Sequence, residues 1–182
     1  MITVNKSQLN LHSITDQYSH HMNSIRIEET KEKTRAVATN GRLLAIVDHR
    51  KINADDPDFK DVKISMPAEL AKETARELKK DATARVGFEN GKVTARASAM
   101  GQFANDNYNF PNYHSVIPTD TPKATIRLDP KLLIDLLKTA VMALDGGSVV
   151  LEVLDDESKP MRIVGENGSE SFLGLIMPTK NK

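Results

Sequence analysis

The chain of 182 residues contains no cysteine. This absence excludes a disulfide framework and a thiolate zinc site, and it suits a reducing cytoplasm. No apolar run approaches the roughly 20 residues that span a bilayer. The residues from Met1 to Asn5 also lack the basic and apolar segments of a secretion signal. We therefore expect a cytoplasmic protein without a membrane segment, long enough to bury an apolar core without covalent staples.

Tryptophan is also absent, and aromatic residues make up only 4% of the chain. This composition disfavours a protein that binds single strands by base stacking. An excess of one charge is missing too, because 25 Lys and Arg residues balance 25 Asp and Glu residues. Nucleic-acid binding through bulk positive charge is thereby excluded. Any such contact must come from basic side chains gathered on one surface.

A repeated pattern runs through the chain. Segments that begin at Ile2, Ile64 and Ile126, evenly spaced by 62 residues, each indicate a short strand leading into the start of a helix. Such self-similarity is typical of folds built from repeated units. Runs with strand character follow each helix start, so each repeat is predicted as strand, helix and three strands. The predicted fold class is α+β, with helices on one face of antiparallel sheets.

The third repeat has the clearest helix. Asp129 is a good N-cap, Pro130 suits the first helical position, and Gly146-Gly147 predict the stop. Apolar residues at helical spacing predict a buried stripe, formed by Leu133, Leu136, Leu137, Ala140 and Leu144. The other face carries Lys131, Asp135, Lys138 and Met142.

The other two repeats give weaker patterns. In the second, Ser65 and Pro67 start a helix whose predicted inward residues are Leu70, Ala71, Thr74, Ala75 and Leu78. The first supports at most a short helix before Tyr18. The segment Glu89-Asn90-Gly91-Lys92 predicts a hairpin turn of the Asn-Gly type, and residues 53–61 predict a surface loop.

Three motifs, in this order, carry a resemblance to a known family. Residues 38–45, Ala-Thr-Asn-Gly-Arg-Leu-Leu-Ala, resemble the Ala-Thr-Asp-Gly-His-Arg-Leu-Ala signature in the middle domain of bacterial β sliding clamps, the β subunit of DNA polymerase III. Residues 110–118, which begin Phe-Pro-Asn-Tyr, resemble the Phe-Pro-Asp-Tyr segment that ends that domain. Residues 176–180, Ile-Met-Pro-Thr-Lys, resemble the Met-Pro-Met-Arg close of the clamp. The ordered set covers most of the chain from about Thr34 onward.

The resemblance implies DNA-clamp repeats, about three per chain, in a shortened clamp. Residues 1–120 resemble the middle domain, and residues 121–182 resemble the second half of the third domain. The family's first domain and one interior half domain have no counterpart. The first helix is also shortened.

The resemblance further implies a pocket for partner peptides. In the family this pocket lies between the middle and third domains. The matching positions are Thr39, Gly41, Leu44, Pro111, Val116, Leu132, Pro160, Ile176, Met177 and Pro178. An apolar cleft with a flexible Met accepts varied peptides that carry Leu and Phe. For Leu44, Val116 and Ile176, burial in the core would leave the same sequence pattern, so both interpretations stay open.

Basic residues are candidates for facing DNA. Lys72, Arg76 and Lys80 are four residues apart on the second helix, and Lys131 and Lys138 form a second, weaker patch. Binding of this kind would contact the phosphate backbone and be independent of base sequence. Glutamates at 69, 73 and 77 each lie three residues before one of those cations, so pairing within the helix is the alternative.

Metal and catalytic sites are disfavoured by the motifs. His12, His20 and His21 lack a completing set of ligands, and the acidic segments 55–58 and 155–157 lack calcium-loop spacing. The chain has no nucleophile elbow, Walker loop or dinucleotide-binding glycine pattern. We expect no enzyme activity and no cofactor.

The resulting functional hypothesis is a sliding clamp or processivity factor. It would be an oligomeric ring, with a tetramer favoured, that encircles duplex DNA and tethers DNA polymerase or repair proteins, with a clamp loader if one is needed. The alternative is a clamp-like adaptor or decoy that binds clamp-type peptides or a clamp subunit without encircling DNA. A hydrolase on an unrelated α+β fold is a third, weaker alternative.

Overall fold

The computed structural model describes residues 1–19, 21–51, 61–80, 82–89, 92–96, 100–104, 110–145, 147–154, 159–168 and 170–179. Expectations for His20, the loop at 53–61 apart from Asp61, the Asn90-Gly91 turn, Gly146, the acidic segment 155–157 and Lys180 lie outside the described residues. The chain divides into two compact units, Met1–Ile117 and Pro118–Lys182. They are called unit 1 and unit 2.

Unit 1 contains two copies of the repeat. The first consists of β1 (Ile2–Asn5), α1 (Lys6–Leu9), a 3₁₀ turn (Asn10–Ile14), β2 (Ser24–Glu29), β3 (Lys33–Thr39) and β4 (Leu44–Arg50). The second consists of β5 (Val62–Pro67), α2 (Ala68–Glu77), β6 (Thr83–Glu89), β7 (Lys92–Arg96) and β8 (Met100–Ala104). A further 3₁₀ turn, Tyr113–Val116, follows. Unit 2 contains α3 (Pro130–Leu144), β9 (Val149–Glu152), β10 (Met161–Asn167) and β11 (Glu170–Ile176). The predicted α+β class is confirmed.

The three helices begin at the predicted spacing. They start at Lys6, Ala68 and Pro130, so the 62-residue period of the sequence is also the period of the structure. Asn5 caps α1 in a reciprocal capping box with Gln8, and Asp129 caps α3 by accepting a hydrogen bond from the Lys131 amide. These local caps satisfy amides that the first helical turn leaves unpaired. Local sequence therefore determines where α1 and α3 begin, whereas the first amide of α2 donates to the distant Asn23 carbonyl.

Two helix ends differ from the sequence prediction. α3 ends at Leu144, but Asp145 adopts the left-handed conformation (φ 43°) that the prediction assigned to glycine. Aspartate tolerates this conformation better than most residues. α2 ends at Glu77, because Leu78 turns extended and is buried at 6% exposure. Lys80 therefore lies beyond the helix, and the prediction that it extends the helical row of Lys72 and Arg76 is wrong.

The two repeats of unit 1 exchange their first strands. One sheet has the order β1-β6-β7-β8 and the other β4-β3-β2-β5. β1 of the first repeat thus pairs with β6 of the second, and β5 of the second pairs with β2 of the first, both antiparallel. Residues from both repeats form one core. The core includes Ile2, Ile25, Ile64, Leu70 and Val86, all at most 2% exposed.

The third repeat lacks this exchange. Its sheet has three strands, in the order β11-β10-β9, packed against α3 around Met161, Ile163 and Ile176. The strand predicted at Ile126–Asp129 does not form. β1 and β5 each pair with the other repeat of their unit, and unit 2 contains no second repeat within its described residues. This prediction is wrong because strand pairing is not a local property.

Candidate functional site

A rigid turn joins β3 to β4 on unit 1. Thr39 and Leu44 are register partners at its base. The Thr39 hydroxyl donates to the Leu43 carbonyl (2.7 Å) and accepts from the Gly41 amide (3.1 Å). Asn40 accepts from the amides of Arg42 and Leu43 at 3.0 and 2.8 Å. Gly41 has φ +83°, a conformation that side chains rarely adopt, so glycine is required there. Three predicted pocket residues, Thr39, Gly41 and Leu44, are thus held together.

The segment after β8 is attached to the same sheet. The Tyr113 hydroxyl donates to a Glu28 carboxylate oxygen of β2 at 2.8 Å, and Tyr113 is 4% exposed. Its ring contacts Phe110 edge-on and stacks at a tilt on His114. Burial, and then the bond to Glu28, raise the pKa of Tyr113 above its usual value. This anchor positions the predicted pocket residues Pro111 and Val116, which flank Tyr113 in the chain.

Ion pairs link β3 to β4 in the sheet to which Tyr113 is attached. Arg35 makes two hydrogen bonds to the Asp48 carboxylate, at 2.7 and 2.9 Å, and Lys33 adds a third at 2.7 Å. The bonds from Arg35, followed by those from Lys33, hold the pKa of Asp48 well below its usual range. Arg35 and Glu28 are register partners on β3 and β2. The sheet that receives Tyr113 is therefore cross-linked by charge as well as by its backbone.

The predicted pocket residues of unit 2 collect at one end of its sheet. Pro160 precedes β10, whose first residue, Met161, pairs with Ile176 at the end of β11. The Thr179 amide donates to the Arg127 carbonyl at 2.8 Å. Arg127 lies three residues before α3 begins. This bond brings Met177 and Pro178 to the start of the helix that carries Leu132.

The apolar residues predicted for the peptide pocket differ in how far they are buried. Ile176 is 4% exposed and belongs to the core of unit 2. Val116, Leu132 and Met177 are 65%, 57% and 61% exposed, and Leu44 is half-buried. The core interpretation thus describes Ile176, whereas the other side chains are available to a ligand. Leu43, 59% exposed at the tip of the turn, is an apolar side chain that sequence reasoning did not select.

Tyr113 was also missed as a positioning residue. The signal was present, because a tyrosine in an otherwise aromatic-poor chain follows Phe110 and Pro111 in a short motif. Its partner Glu28 lies 85 residues away. The sequence carries no indication of that contact.

The basic face of α2 borders a polar groove. Lys72 lines it together with Ala68 and Glu69, opposite His12 and Ser13 of the first repeat. Burial, and then the charge of Lys72, lower the pKa of His12. Lys72 pairs with Glu69 at 3.4 Å, so the predicted alternative of pairing within the helix holds for this residue. The pair is exposed and weak, and it leaves Lys72 accessible to a phosphate.

The two lysines of α3 are both exposed, and Lys138 approaches Asp135 at 3.8 Å. The positions that correspond to Lys72 and Arg76, 62 residues later, are Ile134 and Lys138. Ile134 is 51% exposed, as are Val141 and Met142 at 62% and 77%. The outward face of α3 is therefore largely apolar, whereas the exposed side chains of α2 are charged residues of both signs.

Two further observations concern other classes of site. Among the residues that the structure describes, no three His, Cys, Asp or Glu side chains cluster in a way that could hold a metal ion. No described helix is long and apolar enough to cross a membrane.

Comparison with known proteins identifies the fold. No protein-family model and no curated protein matches the chain. The fold matches the DNA polymerase sliding clamp from Pseudomonas aeruginosa with a TM-score of 0.74 at 18% identity, over 100% of this chain and 52% of that one. It matches the β subunit from DNA polymerase of Streptococcus pyogenes with a TM-score of 0.74 at 12% identity, over 98% and 50%. The C. crescentus β sliding clamp gives 0.68 at 21% identity, over 97% and 49%. The protein thus has the sliding-clamp fold and spans about half the length of the solved clamps that it matches.

Proposed function

We propose that this protein is a DNA sliding clamp, an oligomeric ring that encircles duplex DNA and tethers a polymerase or repair protein. The observation that carries the proposal is the fold that the whole chain shares with solved sliding clamps. A tether of this kind needs no catalytic group and no cofactor. Topological linkage replaces tight binding, so weak contacts with DNA are sufficient.

The proposed contact with DNA uses the helices. Lys72 and Arg76 on α2, with Lys131 and Lys138 on α3 and Lys80 just beyond α2, supply positive charge to phosphates. Burial is the main cause of the lowered pKa of His12, and the charges of Lys72 and Arg76 add to it. No base edge needs to be read, so binding would be independent of sequence.

The proposed contact with protein partners uses the exposed apolar side chains around the β3–β4 turn and at the end of β11. Leu44, Val116 and Met177 are accessible, while Thr39, Gly41 and Tyr113 hold a rigid backbone around the first two. Short peptides that carry Leu and Phe would insert these side chains there, and the flexible Met177 would accommodate variation. Pro111, Leu132, Pro160 and Pro178 complete the proposed surfaces.

The proposed assembly follows from the number of repeats. Clamps of the resembled family close their ring with about a dozen repeats, and this chain has three. Four chains would supply that number, and closed symmetry is the usual outcome of such assembly. We therefore favour a tetramer, loaded on DNA by a clamp loader if one is needed.

Retention on circular DNA tests the proposal. The protein is loaded on nicked circular DNA, with a clamp loader if one is needed. Salt is raised to screen phosphate contacts, and the DNA is then linearised. Release only after linearisation is expected, because a closed ring leaves linear DNA by sliding off its end. Equal retention before and after cutting would contradict encirclement.

A second candidate function is a clamp-like adaptor that does not encircle DNA. The observation that favours it is the apolar outward face of α3, where Ile134 stands at the position equivalent to Lys72. An apolar face toward DNA gains nothing from phosphates. No retention on the circle even with a competent loader, together with peptide binding, would support the adaptor.

A further inference from the structure

The sheet of unit 2 has an edge strand whose inner face is uncovered. Leu151 of β9 is the register partner of Ile163 and shares its face of the sheet. Ile163 is fully buried, yet Leu151 is 53% exposed. A residue on the core side of a sheet remains exposed in this way when the next strand is missing. Such an edge presents unpaired backbone groups to another strand.

Unit 1 shows what covers the corresponding edge. Ile2 and Val4 of β1 pair with Val86 and Ala84 of β6, and both β6 residues are at most 1% exposed. On the other sheet, Ile64 of β5 pairs with Ile27 of β2, which is 1% exposed. In both cases the fourth strand is the first strand of the opposite repeat. The first strand after each helix, β2 or β6, receives it.

Unit 2 also contains the segment, Ile126–Asp129, that would supply a fourth strand. Ile126 and Leu128 correspond to Ile2 and Val4, but they are only half-buried. The Arg127 carbonyl already accepts from Thr179. Neighbouring residues of an extended strand direct their backbone groups to opposite edges, so those of Ile126 and Leu128 point away from Thr179. No backbone partner for either residue is found among the described residues.

The helices show the same difference: residues that are covered on α2 have exposed counterparts on α3. Lys72 of α2 lines a groove together with residues of the first repeat, and Ala75, three residues later, is 2% exposed in the core. The equivalent α3 residues are Ile134 and Leu137, which line a mainly apolar patch with Val141, Met142 and the charged Lys138. Ile134 and Val141 are more than half exposed. An opposing helix would bury them.

We propose that two copies of this chain pair through unit 2 by exchanging the segments Ile126–Asp129. Each segment adds a fourth strand to β9 of the partner, and the two α3 helices pack through the Ile134 patch. The inward residues set an antiparallel register in which Leu128 lies opposite the partner's Val149 and Ile126 opposite the partner's Leu151. The donor strand and the acceptor edge belong to the same unit, so the surface is self-complementary, as a two-fold interface requires. Two copies of unit 2 would thus reproduce the strand exchange of unit 1.

Solution mass measured over a range of concentrations tests the interface. Leu151→Lys and Met142→Glu place charge in the proposed contact at side chains that a single copy exposes, so the fold should survive. Each is expected to raise the dissociation constant of the dimer about tenfold or more, because the charge loses its water on pairing. Leu173→Lys is the matched control. It is 65% exposed on the opposite face of the same sheet and should leave assembly unchanged. A wild-type chain that remains monomeric at micromolar concentration would overturn the proposal, since another protein would then have to cover this face.

Cross-linking tests the register. The natural chain has no cysteine, so Arg127→Cys combined with Val150→Cys introduces the only thiols. Arg127 is held beside the end of β11, and β9 is two strand spacings from β11, about 10 Å. This separation exceeds the reach of a disulfide within one copy. Oxidation should therefore give a covalent dimer, whereas Arg127→Cys with Ser171→Cys should give much less. Equal cross-linking by both pairs, or by neither, would refute this register.

The proposal names the partner and interface for the assembly step of the proposed function. Its test needs no DNA, so the two can fail separately. If the dimer has this register but is not retained on circular DNA, the encircling function is contradicted and the proposed interface is supported. If the protein is retained on circular DNA and Leu151→Lys does not weaken its assembly, the encircling function is supported and the proposed interface is contradicted.

Discussion

The Tyr113 hydroxyl donates a 2.8 Å hydrogen bond to the carboxylate of Glu28, 85 residues earlier in the chain. This bond fixes the segment that follows β8 on the sheet that contains the β3–β4 turn. Both parts carry residues of the proposed peptide surface. The position of Val116 therefore depends on the contact between Tyr113 and Glu28.

Replacing Tyr113 by Phe tests this dependence. The change removes the hydrogen bond to Glu28 and keeps the ring, so we expect a loss of about 1 kcal/mol in the free energy of unfolding. Peptide affinity should fall as well, because Pro111 and Val116 lose their anchor. Urea unfolding and peptide titration measure the two effects. Tyr18→Phe is the control, since Tyr18 is 89% exposed; a similar loss in that variant would contradict the argument.

Asp48→Asn should make the protein less stable at neutral pH but not in acid. The bonds from Arg35 depress the folded pKa of Asp48, so its stabilisation is present above the unfolded value, near 3.9. It is lost as the pH falls through that value toward the folded pKa. The side chain is 37% exposed, and screening keeps the effect below about 1 kcal/mol. Denaturant unfolding at several pH values should show wild type and variant converging in acid, with Asp135→Asn unaffected throughout. A gap that persists in acid would refute the assignment.

Met177→Glu should abolish binding of a labelled peptide with spaced Leu and Phe residues. A buried carboxylate without a partner is costly in the complex, whereas the free protein exposes this position at 61%. The unfolding free energy should therefore change by less than about 0.5 kcal/mol. Leu173→Glu, an exposed position in the middle of β11, should bind normally. Unfolding of the Met177 variant would indicate that the side chain belongs to a core instead.

The double variant Lys72→Ala, Arg76→Ala should bind short linear DNA more weakly at low salt. Each lost phosphate contact lowers the slope of log affinity against log salt by about 0.9. Filter binding or anisotropy over a salt series measures both quantities. Lys31→Ala with Lys63→Ala removes the same charge from exposed positions in the turn after β2 and on β5, and should change neither quantity. An equal effect of both double variants would indicate bulk charge and not a DNA-facing surface.

Much of the local structure follows from the sequence. The inward stripe predicted for α2, from Leu70 to Leu78, is buried throughout. In the stripe predicted for α3, Ala140 and Leu144 are at most 1% exposed, whereas Leu133, Leu136 and Leu137 are only partly buried. These predictions succeeded because helical periodicity and capping act within a few residues. The candidate pocket residues were less predictable. Val116 and Ile176 are both apolar residues in short motifs, yet one is exposed and the other buried, because their exposure depends on which elements pack over them.

The sequence by itself determined the repeat, the positions where its helices begin and the faces those helices bury. The spacing of Asn5, Pro67 and Asp129 already contains that period, and neighbouring residues cap the starts of α1 and α3. The first amide of α2 instead donates to the distant Asn23 carbonyl. The tertiary structure alone decided that β1 and β5 cross to the opposite repeat and that Ile126–Asp129 remains outside a sheet. Strand pairing requires a partner distant in sequence, so the same local pattern forms a strand where that partner is present and fails to form one where it is missing.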